Sequence, residues 1–323
     1  MMRSYSVARV ERGGGTSTGS LVGRPVVVGE IVREASSNGQ GTIGGSALAV
    51  VCHLKKLGFD PVLMTRVGDD ARGHELLVIL RGMGIDERGV QVDRSRPTWE
   101  TSLTHRECGS ASGAYDFLDS RAALDVVHDV APSLVFQCTT AIKPEGAREA
   151  LRRIRGLTGV PFFVDIDFVE PWMTACDLRQ VLLGAKWLRM GFESLSTLAN
   201  RPGDRCVSVV SSAAQGVRRK FALESVVVEL RGMPVMVVSG NRIARSRRPK
   251  RATVSPQPGD RDAAAAALVV GVIAGLSPAK ILRTAVSAAV RDSDDSNSDN
   301  DQSWPHWHNS VRCAAAATEG APE

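Results

Sequence analysis

An alanine-rich apolar segment near the C-terminal end places the strongest constraint on how this chain folds. Pro256 and Pro258 keep the approach extended, and Gly259 permits a sharp turn. The next three residues, 260–262, read Asp-Arg-Asp and are followed by an apolar run over 263–277. Aspartate is a favoured N-cap, so the pattern predicts a helix that begins here and is buried by the rest of the fold.

The start of this helix is also a candidate site. Free backbone N–H groups and the positive end of the helix dipole favour an anion there. A carboxylate at the same place can accept a proton from an attacking hydroxyl while the N–H groups hold a phosphoryl group. Asp260 and Asp262 can equally be plain helix caps, and this segment alone leaves both interpretations open.

Composition narrows the class of protein. A chain of 323 residues with 43% hydrophobic content can bury one large α/β domain with a small appendage. No apolar run is long enough to span a bilayer, and a net charge of +5 does not by itself indicate nucleic acid. The six cysteines lack CxxC spacing, which favours free thiols in a reducing compartment and predicts no metal site.

Short apolar segments alternate with helical ones along the chain, which predicts a mostly parallel sheet covered by helices. A turn near Gly109 to Gly113 predicts a hairpin of residues 98–104 and 114–117. After Ser277 a helix is expected to end at Val290. The expected buried strands are Val26–Val28, Leu63–Met64, Pro132–Phe136, Pro161–Ile166, Lys186–Met190 and Cys206–Val210.

Four segments depart from this alternation of strands and helices. Residues 1–24 are predicted to be a flexible extension, with an organellar transit segment as the alternative to a cytoplasmic protein. An insertion at about 239–255 holds six cations within 241–251, which fits a solvated loop or a contact for nucleic acid or an acidic partner. Residues 291–308 are predicted to be acidic and disordered, and 309–323 a C-terminal helix or tail.

Several motifs in order resemble the ribokinase-like (PfkB) carbohydrate kinases, most of all fructokinases. The segment 256–277 is similar to the family's D-T-x-G-A-G-D run and the small-residue helix after it, with Pro256 and Gln257 in place of the leading D-T. Residues 67–73 carry an intact V-G-D-D-x-x-G, and 165–172 are similar to D-x-N-x-R-P-x-W. The resemblance implies a three-layer α/β/α fold over 25–290, with a mostly parallel central sheet and a small β-lid at about 91–118 that often pairs in dimers.

The resemblance also implies roles for individual residues. Asp262 matches the catalytic base, and Gly259 and Arg261 match the anion hole. The nucleotide would contact Ser211 and Gly216 in a loop like T-x-G-x-x-G, together with Asn309, or Val286 if no insertion precedes it. The implied substrate-binding residues are Glu34, Gly44, Gly45, Trp99 and Asp165.

The chain departs from the family pattern at positions that carry chemistry. The sugar-binding asparagine is Ala49, an arginine is Val169, the second anion-hole glycine is Arg261, and the magnesium-organising N-x-x-E has Gly191 and Ser194. We therefore expect weakened or lost ATP-dependent phosphotransfer to a sugar hydroxyl in a protein that acts as a binding module. An active fructokinase-type enzyme that uses ATP and Mg²⁺ is the alternative.

Overall fold

The computed structural model describes residues 24–35, 42–102, 113–142, 144–166, 175–199, 206–230, 233–246 and 258–297. Nine of the strands in these segments form one sheet, in the order β12-β11-β10-β9-β8-β7-β1-β4-β5. In chain order the twelve strands are β1 Val26–Val28, β2 Val32–Ala35, β3 Thr42–Gly44, β4 Val62–Gly68, β5 Val90–Asp93, β6 Glu100–Ser102, β7 Val135–Gln137, β8 Phe162–Ile166, β9 Ala185–Gly191, β10 Ser225–Leu230, β11 Met233–Ser239 and β12 Arg242–Arg245.

The sheet is mixed but mostly parallel, as predicted. All pairs from β10 through to β5 are parallel, and only β11 and β12 run antiparallel to their neighbours. Parallel strands connected through helices are buried on both faces, which explains why β1, β7 and β8 are buried at every position without alternation. Their carboxyl ends share one edge, the usual position of a ligand cleft in such sheets.

Helices cover both faces of this sheet. The described helices are α1 Ser46–Lys56, α2 Ala71–Gly82, α3 Ser120–Val130, α4 Glu145–Thr158, α5 Ala175–Leu182, α6 Phe192–Ala199, α7 Val207–Lys220, α8 Pro258–Ile273 and α9 Pro278–Asn297. One hydrophobic core joins the sheet to α3 through α7, and a second core on the opposite face joins it to α1, α2, α8 and α9. The predicted three-layer α/β/α architecture is confirmed. Among the described residues no helix is both long and apolar enough to cross a membrane.

The intact motif at 67–73 forms a tight structural connection, which we call the β4 clasp (residues 67–73 with Thr98). Asp70 caps α2 by accepting from the Gly73 N–H at 2.8 Å, and it also accepts from the Thr98 N–H at 2.7 Å. A Cβ atom on Gly73 would lie 1.9 Å from the Gly68 carbonyl oxygen. Burial alone would raise the pKa of Asp70, but the hydrogen bonds from Gly73 and Thr98 outweigh it and lower the pKa.

The strand predicted at Cys206–Val210 is wrong. This segment opens α7, in which Val210, Ala214 and Val217 are buried at helical spacing. A short apolar run does not distinguish a strand from one turn of a helix, and the periodicity continues through 214–217. The strand that follows in the sheet is β10, which pairs in parallel with β9.

The hairpin predicted around residue 110 is wrong in its second half. Ala114–Phe117 forms a single 3-10 turn, while β6 lies in a small separate sheet of order β3-β2-β6. In that sheet β6 pairs in parallel with β2, so three chain segments build it rather than one hairpin. Residues 103–112, which include the predicted turn, lie outside the described residues.

Two predicted irregular segments contain regular structure. Arg242–Arg245, in the basic insertion, form β12 because the outer edge of β11 is available for pairing. Helix α9 continues to Asn297, seven residues beyond the expected end at Val290, so disorder was wrongly predicted for residues 291–297. The buried residues Ile281, Leu282, Ala285 and Ala289 fix α9 against the sheet and support its continuation.

Candidate functional site

The carboxylate of Asp262 lies on the first turns of α8, against the beginning of α1. The Ser46 hydroxyl donates a hydrogen bond to Asp262 Oδ1 at 2.6 Å, across 216 positions of sequence. Asp262 is half-buried. The predicted base is therefore brought to the residue that directly follows the double glycine, and it does not face open solvent.

The double glycine makes this contact sterically feasible. Gly44 ends β3, and Gly45 precedes α1 with φ 110°, a conformation that favours glycine. A Cβ atom on Gly45 would lie 2.6 Å from the Glu30 carbonyl oxygen at the end of β1. Gly44, Gly45 and Asp262, predicted from separate motifs, thus meet at the carboxyl edge of the sheet.

Beneath this edge lies a buried ion cluster centred on Arg189, which is 1% exposed on β9. Its Nε and Nη2 donate to the two carboxylate oxygens of Glu229 over 2.7 Å and 3.0 Å. Nη1 donates to Asp165 Oδ2 over 2.6 Å. Nη2 also donates to the main-chain oxygen of Arg261 over 3.2 Å, so the cluster contacts the first turn of α8.

The cluster changes the interpretation of Asp165, which was predicted to bind substrate. The structure places its carboxylate at 3% exposure in an ion pair with Arg189, at the end of β8. The sequence analysis missed Arg189 and Glu229. A signal existed, since Arg189 stands among the apolar residues Leu188 and Met190 and Glu229 directly follows Val226–Val228, so both charges demand buried partners.

Cys138 lies under the same edge, next to the end of β1. A Cβ atom on Gly29 would lie 3.3 Å from its sulfur. Burial raises the pKa of the Cys138 thiol well above its ordinary value, and the nearby carboxylates of Asp165 and Asp262 raise it further. The thiol therefore stays protonated at neutral pH and serves as packing rather than as a nucleophile.

The small sheet carries two of the predicted substrate contacts. Glu34 lies on β2, and its backbone pairs with Thr42 on one side and Thr101 on the other. Trp99 directly precedes β6 and is half-buried, with its Cβ 2.7 Å from the position a Cβ on Gly113 would take. A glycine is therefore required at position 113 for Trp99 to pack there.

The predicted nucleotide loop at 211–216 is wrong as a structural element, because these residues lie inside α7. The Ser211 hydroxyl donates to the Ser208 carbonyl oxygen at 3.0 Å, and Gly216 is exposed in mid-helix. Helix α7 also covers the face of the sheet opposite α8. Residues 231–232, which join the antiparallel strands β10 and β11, lie outside the described part, as does Asn309.

The positions that match the magnesium-organising motif do not fit that ion. Gly191 ends β9 and brings no side chain. Ser194 is 1% exposed within α6, and its Oγ has no hydrogen-bond partner among the described residues. Glu193, the neighbouring acid, is exposed on the helix surface. Magnesium requires well-placed oxygen ligands, and neither matched position supplies one to the cleft.

Comparison with known proteins identifies a matching protein family and solved structures with a similar fold. Residues 26–298 match the family model described as pfkB family carbohydrate kinase. A search of curated proteins finds no match. Among solved structures, the chain is similar to 2-dehydro-3-deoxygluconokinase from Thermotoga maritima, with 17% identity and a TM-score of 0.68 over 83% of this chain and 93% of the other.

Two further solved structures show the same fold. Fructokinase from Vibrio cholerae O395 shares 17% identity, with a TM-score of 0.65 over 86% of this chain and 100% of the other. Aminoimidazole riboside kinase from Salmonella enterica, solved with aminoimidazole riboside and an ATP analog, shares 15% identity, with a TM-score of 0.65 over 82% and 91%. At such identities the likeness establishes the ribokinase-like fold, and the site has to be argued from its own residues.

Proposed function

The chain belongs to the pfkB family of carbohydrate kinases, and from this membership we propose that it binds a sugar and a nucleotide but transfers the phosphoryl group slowly. The acceptor is a sugar hydroxyl, the donor is ATP, and Asp262 is the base. The hydrogen bond from Ser46 to Asp262 Oδ1 supports both parts of the proposal. It brings Asp262 beside the double glycine, and the Ser46 hydroxyl occupies one of the two carboxylate oxygens that can accept the proton.

The surviving groups support a simple mechanism. Asp262 accepts the proton of the sugar hydroxyl as the oxygen of that hydroxyl bonds to the γ-phosphorus and the bond to the ADP oxygen breaks. The backbone N–H groups of Gly259 and Asp260, in the first turn of α8, face the charge that develops on the phosphoryl oxygens. The α8 start therefore fits the phosphates of a nucleotide.

Three features slow this reaction. The Ser46 hydroxyl competes with the substrate hydroxyl for Asp262. Pro258 begins α8 without an N–H to donate, and Arg261 takes the place of the second glycine of the anion hole. Losing one preorganised donor in such a hole costs roughly 10²–10³ in rate. Gly191 and Ser194, which do not fit Mg²⁺, remove a further source of charge stabilisation.

A coupled assay of ADP release over a panel of ketoses and aldoses tests the proposal. Sugar kinases commonly turn over at about 1–100 s⁻¹, and we expect a rate at least about 100-fold below that range. Asp262→Asn should abolish the residual turnover. Asp119→Asn is the matched control, because it makes the same change at the N-cap of α3, where the carboxylate accepts from the Ala122 N–H.

Calorimetric titrations with ATP and with the sugars complete the test. Binding of either ligand together with slow turnover supports the proposal. Turnover at an ordinary rate that Asp262→Asn removes would establish the fully active alternative instead. Absence of binding for both ligands, or residual turnover that survives in Asp262→Asn, would overturn the assignment of this cleft.

A further inference from the structure

We propose that Arg189 is a positioning residue that fixes the first turn of α8, and thereby the carboxylate of Asp262, at the carboxyl edge of the sheet. The functional meaning of this inference rests on the proposed role of Asp262, while its test does not. The contact that carries it is the hydrogen bond from Arg189 Nη2 to the Arg261 main-chain oxygen.

The guanidinium is held in one orientation from two sides. Glu229 on β10 takes two of its N–H groups, and Asp165 on β8 takes a third. Because guanidinium is planar and its donors are fixed relative to one another, these bonds also determine the direction of the second N–H of Nη2. The N–H of Nη2 therefore points at α8 without freedom to follow it if the helix shifts.

The residues that hold the Arg189 side chain are themselves fixed by the fold. The Thr139 hydroxyl, after β7, donates to the Asp165 main-chain oxygen at 2.9 Å. All three ionic side chains are at most 3% exposed, so water does not compete for their hydrogen bonds. One side chain thus connects the ends of β8, β9 and β10 to the start of α8. A lysine could keep the charge but could not make bidentate contacts with Glu229.

The contact also bears on the helix itself. The Arg261 carbonyl is the regular acceptor for the Ala265 N–H, four residues later in α8. A second donor from Arg189 holds that carbonyl in place from the sheet side. Since Asp262 directly follows Arg261, a start of α8 that is free to fray would carry the base away from the carboxyl edge of the sheet.

Hydrogen exchange of the ligand-free protein tests the inference, comparing Arg189→Lys with Arg66→Lys. Arg66 forms a different ion pair, with Asp93 over 2.9 Å at 17% and 2% exposure, and it has no contact to α8 among the described residues. In Arg189→Lys we expect the amides of residues 262–265 to exchange about tenfold faster than in the wild type, relative to α1 and α3. In Arg66→Lys the same ratio should stay unchanged.

Glu229→Gln provides a second variant in case Arg189→Lys does not fold. It keeps the size of the side chain and weakens the bidentate pair, and we expect about threefold faster exchange of the same amides. Where turnover is measurable, kcat should fall with little change in KM for the sugar. Wild-type exchange at 262–265 in a folded variant, or acceleration shared equally by all helices, would overturn the inference. If the protein shows no turnover, the hydrogen-exchange measurement still tests the inference.

Discussion

The β4 clasp keeps the family's motif intact, whereas the start of α8 keeps it only in part. Comparing the two regions shows which positions the fold requires and which positions matter mainly for the reaction. In the clasp the two glycines are required by close backbone contacts, as at Gly73, where a Cβ would meet the Gly68 oxygen at 1.9 Å. At α8 the carboxylate of Asp262 remains while Arg261 replaces a glycine, and the helix still forms. Substitutions that the backbone tolerates can therefore alter activity and leave the fold intact.

The strongest test of this contrast is Gly73→Ala in the clasp. The new methyl group would overlap the Gly68 carbonyl, which is backbone and cannot rotate away. We expect a loss of about 4 kcal/mol in the free energy of unfolding, measured by urea denaturation. A variant within about 1 kcal/mol of the wild type would show that the clasp is not the rigid region we describe.

A smaller effect is expected for Asp93→Asn, beside the clasp. Burial favours the neutral acid, but hydrogen bonds from Ser95 and the charge of Arg66 outweigh it and lower the pKa of Asp93 from 3.8 to about 2. A lowered carboxylate pKa stabilises the fold above the unfolded pKa and ceases to do so as pH falls through the folded one. The variant should be about 2 kcal/mol less stable at pH 7.

The pH dependence of the stability difference between the wild type and Asp93→Asn serves as a control. Urea denaturation of both proteins from pH 7 down to pH 3 should show the gap closing only below about pH 4, with about half of it gone at pH 3. A gap that stays constant over this range would mean that Asp93 stabilises the fold by size and shape and not by its charge.

At the cleft, Ser46→Ala should raise activity and lower the free energy of unfolding by no more than about 1 kcal/mol. The substitution removes the hydroxyl that donates to Asp262 Oδ1. One hydrogen bond contributes about 1 kcal/mol, so we expect about fivefold faster phosphoryl transfer in the ADP-release assay. Slower transfer would indicate that Ser46 orients the base rather than competing with the substrate.

The smallest expected effect is a gain in stability from Gly216→Ala. Gly216 lies exposed in mid-helix in α7, and nothing within 4 Å would meet a new Cβ. Alanine should stabilise the protein by about 0.8 kcal/mol, the difference in helix propensity. Destabilisation together with weaker ATP binding would restore the nucleotide loop that the sequence predicted here.

The sequence was sufficient to predict the features that depend on residues close together along the chain. Gly45 needs a positive φ beside Glu30, and Asp262 follows the pair Pro258 and Gly259 at a helix start, so both are recognisable from their neighbours in sequence. Arg189 is different, because its partners lie 24, 40 and 72 positions away and become neighbours only after the sheet has formed. The same limit explains α7, whose first turn looks like a strand until the placement of β10 is known.

Strand β12 forms one edge of the nine-stranded sheet, so its side chains determine how that edge can pair with another molecule. It is the outermost strand and carries exposed arginines at both ends, Arg242 and Arg245. A second copy that added its own β12 in antiparallel register would bring like charges opposite each other, which opposes edge-to-edge growth into aggregates. Without this short charged border, β11 would form the edge, with Val237 and Val238 fully buried in the present fold. On this argument the charges at the two ends of β12 disfavour edge-to-edge pairing at this end of the sheet.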